Sequence, residues 1–353
     1  MSPTQVNSGQ QRHPWVDYAK GIAIILVVYR HMLGGYQNAG IEVAEYYIMA
    51  QQSVYNFRMP LFFLLSGIFL KKSLSKRSTS AFVSYKANSI MYPYLIWASL
   101  QLSIQVLFTY YANGNKSWSD FAYLLYAPRE LDQFWFLYTI FNITIIYAIT
   151  YRYAHLRTTA QLGLAAVFYY VSTLTFVQPI GLLQDTLQYY LYFAIGGYTA
   201  DFVLSEKANK SFLATTLVGL LPIFLLSQWY WITHQDLRST QPFAFAVIAI
   251  VGSAFVINIA FVLGRAQRMR VLKLIGRHSL YIYIMHVILL GFVKAVLVVL
   301  LKIDNVILLF PISMIVATAG PIIFYRMSVK YGFWPLFTTR RPRALAPQQS
   351  TSQ

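Results

Sequence analysis

Trp15-Val16-Asp17-Tyr18-Ala19-Lys20-Gly21-Ile22-Ala23-Ile24-Ile25-Leu26-Val27-Val28-Tyr29-Arg30-His31 is the first long apolar stretch of the chain. It continues to about residue 35, close to the roughly 20 residues a helix needs to cross a hydrocarbon core of about 30 Å. Asp17 and Lys20 lie within it and it has no small-residue cleavage site, so it reads as a retained helix rather than a signal peptide. Nine further stretches follow, at approximately 54–70, 88–110, 131–150, 160–177, 187–204, 212–232, 243–263, 279–300 and 306–327. Tyr92-Pro93 predicts a kink near the start of the third stretch, because proline has no N–H to give. The short alternating strands of an outer-membrane barrel are absent from the pattern. The fold class expected is all-α: a polytopic transmembrane helix bundle of about ten helices.

Composition agrees with that expectation. Of 353 residues, 57% are hydrophobic, 17% aromatic and only 11% charged, against about 25% charged in a soluble domain. Mean hydropathy is +0.50. The balance excludes a disordered chain and a soluble enzyme with a solvated surface. With no cysteine, thiolate metal sites, disulfides and a Cys nucleophile are excluded, and no metal is expected.

The net charge of +17 raises nucleic acid as a partner, and the placement of the charges argues against it. With the N-terminus inside, 20 Lys and Arg fall in inside segments, among them Lys71, Lys72, Lys76, Arg77, Lys86 and the run Arg265 to Arg277. Four fall outside: Lys116, Arg129, Arg238 and Lys302. This is the positive-inside pattern, with both termini cytoplasmic and membrane lipids, not nucleic acid, as the partner of the basic loops. Residues 1–14 and 338–353 are polar and read as disordered tails flanking a transmembrane domain over 15–330. No internal repeat is evident.

Ionisable groups within a span usually face a bundle interior or a watery cavity. Lys20 and His31 are 11 residues apart, about three turns and roughly 16 Å of helix, on nearly one face. Asp17 can pair with Lys20 at three residues' spacing. The structural alternative is a snorkelling Lys20, neutralised by Asp17, with His31 at the interface. Arg30 points about 100° from His31 and reads as structural or interfacial.

These residues resemble the acyltransferase-3 family of integral membrane acyltransferases, and its fucose 4-O-acetylase-like branch more closely. The family carries a basic residue, ten intervening residues and a catalytic histidine in its first helix, matched here by Lys20 and His31. Asp17-Tyr18-Ala19-Lys20-Gly21 matches the branch's opening. Arg58-Met59-Pro60 through Ser66-Gly67 is similar to its second-helix signature, and Lys86 to Tyr92-Pro93-Tyr94 to its entry into helix three. Trp135-Phe136-Leu137 and Gly276 through Ser279, Tyr281 and His286 complete the resemblance. Gln133-Phe134 stands where a histidine is common, and Arg30 where a small residue is common.

The resemblance implies O-acetyl transfer from acetyl-CoA or another acyl-CoA, used as a substrate with no bound cofactor, to a carbohydrate or glycolipid in a bacterial inner membrane. Imidazole suits removal of the hydroxyl proton near neutral pH, which makes His31 the base. Arg58 would stabilise the oxyanion or orient the acceptor. Lys20 and Lys86, at cytoplasmic ends, would meet the polyanionic donor. Glu130, Asp132 and Trp135, at the outer mouth of the fourth span, suit a sugar, and His286 is a further binding candidate. Ser66-Gly67 reads as close helix packing rather than catalysis. Two other readings compete. A transporter or permease for a glycan or small solute fits ten helices with intramembrane charges, but it predicts repeat symmetry and broken helices. A glycan polymerase or ligase predicts long outer loops, and the longest here, about 111–130, is modest.

Overall fold

A computed structural model describes residues 13–108 and 116–340, and the described residues contain helices and no strand. The expected N-terminal tail, apart from His13 and Pro14, and residues 341–353 of the C-terminal one lie outside the described residues. The helices run, in order, α1 (Pro14–Asn38), α2 (Glu45–Ser53), α3 (Tyr55–Ile68), α4 (Leu70–Leu74), α5 (Thr79–Lys86), α6 (Tyr92–Leu107), α7 (Tyr123–Tyr126) and α8 (Trp135–Arg152). They continue with α9 (Thr158–Ser172), α10 (Gly181–Val203), α11 (Glu206–Ser211), α12 (Ala214–Thr233) and α13 (Leu237–Thr240). The last α-helices among the described residues are α14 (Pro242–Ala266), α15 (Arg270–Arg277), α16 (Ser279–Val293) and α17 (Val306–Lys330).

Each of the ten apolar stretches read from the sequence overlaps one of these helices. Six helical segments are long and apolar enough to cross a membrane: Thr79–Leu107, Pro128–Arg152, Ala214–Thr233, Pro242–Ala266, Ser279–Leu300 and Val306–Lys330. The other four differ for physical reasons. Helix α3 has 14 residues and α9 has 15. Helix α1 carries Asp17, Lys20 and Arg30, and α10 carries Asp185 and Asp201, so their hydropathy is diluted. The kink anticipated at Tyr92-Pro93 takes the form of a π-helical turn, Ala87–Met91, directly ahead of α6. Proline at 93 cannot give the i→i−4 bond, and a widened turn accommodates the loss.

Helix α1 is central, packed against α3, α14, α15, α16 and α17, while α10 packs on α3, α8 and α9. Glycine decides two of these contacts. A Cβ at Gly276 would overlap the Asp17 carbonyl oxygen, and Gly21 lies against the Leu272 carbonyl, so α1 and α15 meet backbone to backbone. Gly67 and Gly196 do the same for α3 and α10. The Ser66 hydroxyl donates within its own helix to the Phe62 carbonyl (2.8 Å). The Ser66-Gly67 pair is thus a packing element, as small residues are where helices approach closely in a membrane.

After α17 the chain turns back across the start of α6. Tyr92 and Trp97 donate to the carbonyls of Pro335 (2.5 Å) and Leu336 (2.9 Å). Asn88 donates to the Thr338 hydroxyl (3.1 Å) and accepts from the Thr339 amide (2.9 Å). Phe337 is buried against Trp97, Tyr281 and Tyr325.

Candidate active site

A cavity of about 370 Å³ opens between α1, α3, α8, α10 and α16, within the usual range for small-molecule sites. Helix α1 contributes Arg30 and His31, and α3 contributes Tyr55, Asn56 and Arg58. The turn before α8 brings Arg129 and Asp132, α8 begins with Trp135, α10 adds Gln188 and Tyr189, and α13 adds Arg238.

His31 faces His286 of α16 edge-on, with ring centroids 5.1 Å apart. His286 is 0% exposed. Its Nδ1 donates to the carbonyls of Ile282 (3.0 Å) and Tyr283 (2.8 Å). Carbonyls only accept, so Nδ1 carries a proton, and Nε2 is the nitrogen that would accept when the ring is neutral. That Nε2 has no hydrogen-bond partner among the described residues.

Arg58 is 7% exposed, and its Nη1 also has no hydrogen-bond partner among the described residues. Its guanidinium carbon stands 5.6 Å from the centre of the Tyr55 ring. Two residues on, Pro60 withholds the N–H that the Asn56 carbonyl would otherwise receive.

The turn Pro128–Phe134 is the strained part of the site. Asp132 has φ 54° and ψ −115°, a region that costs a non-glycine residue about 1–3 kcal/mol. Its carboxylate accepts from Gln101 (3.0 Å) and Gln105 (2.9 Å), four residues apart on one face of α6. The neighbouring Gln133 side chain donates to Gln101 (2.8 Å), and the Gln133 carbonyl accepts from the Tyr283 hydroxyl. Arg129 binds Asp185 of α10 with both ends of its fork, Nε to Oδ2 at 2.6 Å, and lies 4.5 Å over the Trp135 ring. The turn is thereby fixed from three helices: α6, α10 and α16.

The structure therefore gathers His31, Arg58, Asp132 and Trp135 at one cavity, with His286 behind His31. Glu130, two residues before Asp132, is exposed and does not line the cavity; its carbonyl accepts from Lys116 (2.7 Å). Lys20 and Lys86 also lie away from it, and Lys86 feels the like charges of Arg77 and Lys20. Lys86 lies 5.6 Å over the Phe82 ring. Arg30, read from sequence as structural or interfacial, lines the cavity. Arg129, Arg238, Asn56, Gln188 and Tyr189 were not singled out by sequence reasoning. The signal available for two of them was topological, since Arg129 and Arg238 are half of the four basic residues assigned to the sparsely charged side.

A second cavity, of about 430 Å³, adjoins the first and shares Arg30, Tyr55 and Arg238 with it. Its other walls are Gln37, Gln51, Gln52, Gln235, Trp231 and two apolar side chains of α1 and α2. Arg238 at the junction donates to the Gln188 side-chain oxygen (2.9 Å) and lies 3.4 Å from the Tyr55 hydroxyl.

Comparison with known proteins bears on this arrangement. Nodulation protein NolL of Sinorhizobium fredii (strain NBRC 101917 / NGR234) is 30% identical over 139 residues, 37% of this chain and 36% of that protein. Nodulation protein NolL of Mesorhizobium japonicum (strain LMG 29417 / CECT 9101 / MAFF 303099) is 29% identical over 130 residues, 35% and 32% of the two chains. The matched part thus spans about a third of the length of these relatives. No solved structure matches. The model of the acyltransferase-3 family, described as an acyltransferase domain, matches residues 13–326, from the start of α1 into α17 and across every residue that lines the cavity. On that match the chain, a multi-pass membrane protein, belongs to the acyltransferase-3 family.

Proposed function

We propose that this protein is an O-acyltransferase of a bacterial inner membrane that moves an acyl group, acetyl in the simplest case, from cytosolic acyl-CoA to a carbohydrate hydroxyl. The observation that carries the reading is the meeting of His31 and Arg58 in one cavity, with the His286 ring against His31. In this mechanism the His31 imidazole takes the proton of the acceptor hydroxyl as its oxygen attacks the thioester carbonyl. A C–O bond forms, and the carbonyl oxygen becomes an oxyanion within reach of the open Nη1 of Arg58. Collapse breaks the C–S bond, and the imidazolium returns the proton to the departing sulfur. His286 serves as a positioning residue, its buried ring packed edge-on against His31.

Asp132 and Trp135 face the acceptor: a carboxylate accepts from sugar hydroxyls, and an aromatic ring stacks on the apolar face of a pyranose. The Lys20 and Lys86 cluster lies apart from the cavity, and in this reading it draws the phosphates of the donor from the cytoplasm. Ten crossings with both termini cytoplasmic complete the proposal. The test is acyl transfer by purified protein in nanodiscs, with glycan products read by mass spectrometry. His31→Ala is expected to lose about 10²–10⁴-fold in turnover while inserting and folding normally. Near wild-type turnover by folded His31→Ala protein would remove His31 as the base.

A further inference from the structure

The cavity carries more positive charge than the proposed acyl transfer needs. Arg30, Arg58, Arg129, Arg238 and Lys294 line it, while Asp132 is the one carboxylate among the lining residues. Asp185 stands behind, bound to Arg129 and within electrostatic reach of Arg238. Four guanidiniums thus face two carboxylates. No ion pair is found for Arg30, Arg58 or Arg238 among the described residues. Arg58 is nine-tenths buried with an open Nη1, and Arg238 is held by the neutral groups of Gln188 and Tyr55. Taking cations out of water without compensating anions is costly, and oxyanion stabilisation accounts for only one of these arginines. The surplus has a definite place. Arg30 and Arg238 line both cavities, at the junction between the His31 chamber and the chamber walled by Gln37, Gln51, Gln52, Gln235 and Trp231.

We propose that the acceptor is an anionic saccharide whose carboxylate or phosphate is held by Arg30 and Arg238 at this junction. The inference rests on the acyltransferase reading and adds the acceptor's chemical class. The unit to be acylated occupies the His31 chamber. The chain of the saccharide continues into the second chamber, whose side-chain amides and indole match hydroxyls and pyranose faces. Arginine suits the anion because its planar fork bonds carboxylate and phosphate oxygens in pairs. The seat of Arg30 is itself built: a Cβ at Gly34 would stand 2.6 Å from Arg30 Nη1, so glycine one turn later leaves room for the guanidinium.

The test compares methyl glucuronide and glucose 1-phosphate with methyl glucoside, using wild-type protein and Arg30→Gln, Arg238→Gln and Arg238→Lys variants in nanodiscs. Binding is read by calorimetry without donor, so the readout is independent of turnover. At least one anionic probe is expected to bind about 10–100-fold more tightly than the glucoside. That ratio should fall towards one in either Gln variant and recover in part in Arg238→Lys. Gly34→Ala, which displaces Arg30 while keeping every charge, should lower the ratio by a smaller factor and guards against a Gln variant that fails to fold. A second arm compares acetyl-CoA with acetyl-pantetheine, which lacks the nucleotide phosphates. If the Gln variants raise the KM for acetyl-CoA alone and leave the saccharide ratio unchanged, the anion belongs to the donor and the proposal is overturned. Equal binding of all three saccharides by wild-type protein overturns it too. Preferential anion binding without any acyl transfer would instead count against the acyltransferase reading and leave the anion site standing.

Discussion

The Arg129–Asp185 pair gives a stability prediction whose asymmetry follows from exposure. Asp185 is 1% exposed and the Arg129 side chain 40%. Removing Arg129 strands a buried carboxylate, a change that costs about 3–5 kcal/mol in buried pairs. Arg238, which also acts on Asp185, places Arg129→Gln near the lower end of that range. Removing the carboxylate instead leaves a guanidinium that keeps water and the Trp135 face. Asp185→Asn should therefore cost about 1–2 kcal/mol, between the exposed and buried cases. The double variant Arg129→Leu/Asp185→Leu strands neither charge. It should cost less than the two Leu variants added together, with a coupling of about 2 kcal/mol. The same lesion frees the turn that holds Asp132 and Trp135, so Arg129→Gln should also raise the acceptor KM more than Asp185→Asn does. The assay is reversible unfolding of the purified protein by graded detergent, followed by tryptophan fluorescence. Additivity to within about 0.5 kcal/mol, or a larger cost for Asp185→Asn than for Arg129→Gln, would refute the argument.

Gly276→Ala places a methyl group on the Asp17 carbonyl and should destabilise the protein by about 1–3 kcal/mol, the usual cost of overpacking, with thermal unfolding as the check. A cysteine introduced at the exposed Ser75, in a chain with no native cysteine, should resist an impermeant thiol reagent in intact cells and react only after lysis. Labelling before lysis would reverse the proposed orientation. In bisubstrate kinetics Lys86→Met should raise mainly the acyl-CoA KM, in a salt-dependent way if the attraction is long-range. Asp132→Asn should raise mainly the acceptor KM, and by more than Glu130→Gln, because Asp132 lines the cavity and Glu130 does not. A Lys86→Met defect confined to the acceptor would overturn the division of sides.

The helices were legible because a hydrocarbon core requires runs of apolar residues, and such runs survive in a single sequence. His31 was legible for the complementary reason, as an ionisable group inside one of those runs is costly enough to need an explanation. What escaped was set by partners distant in the chain. Arg129 and Asp185 are 56 positions apart, and neither residue alone announces the other. Gln101 and Gln105 look like ordinary polar residues of an apolar helix until Asp132 is placed between them. The positive φ at Asp132 is not marked by a glycine, so no turn signal flagged the strained backbone at the edge of the site.

The cations show most clearly where sequence reading gave out. Positive-inside bias explains basic residues on the rich side of the membrane without reference to function, so Lys and Arg in those loops carry little information one by one. The same rule makes a basic residue on the sparse side, or within a span, the exception that needs a local cause. Of the four assigned to the sparse side, Arg129 and Arg238 line the cavity, and Arg30 and Arg58, at the ends of their spans, line it with them. Arginines from four separate elements have no topological reason to meet. Their convergence beside His31 is economical only if the chemistry performed there, or the molecule brought to it, is negatively charged.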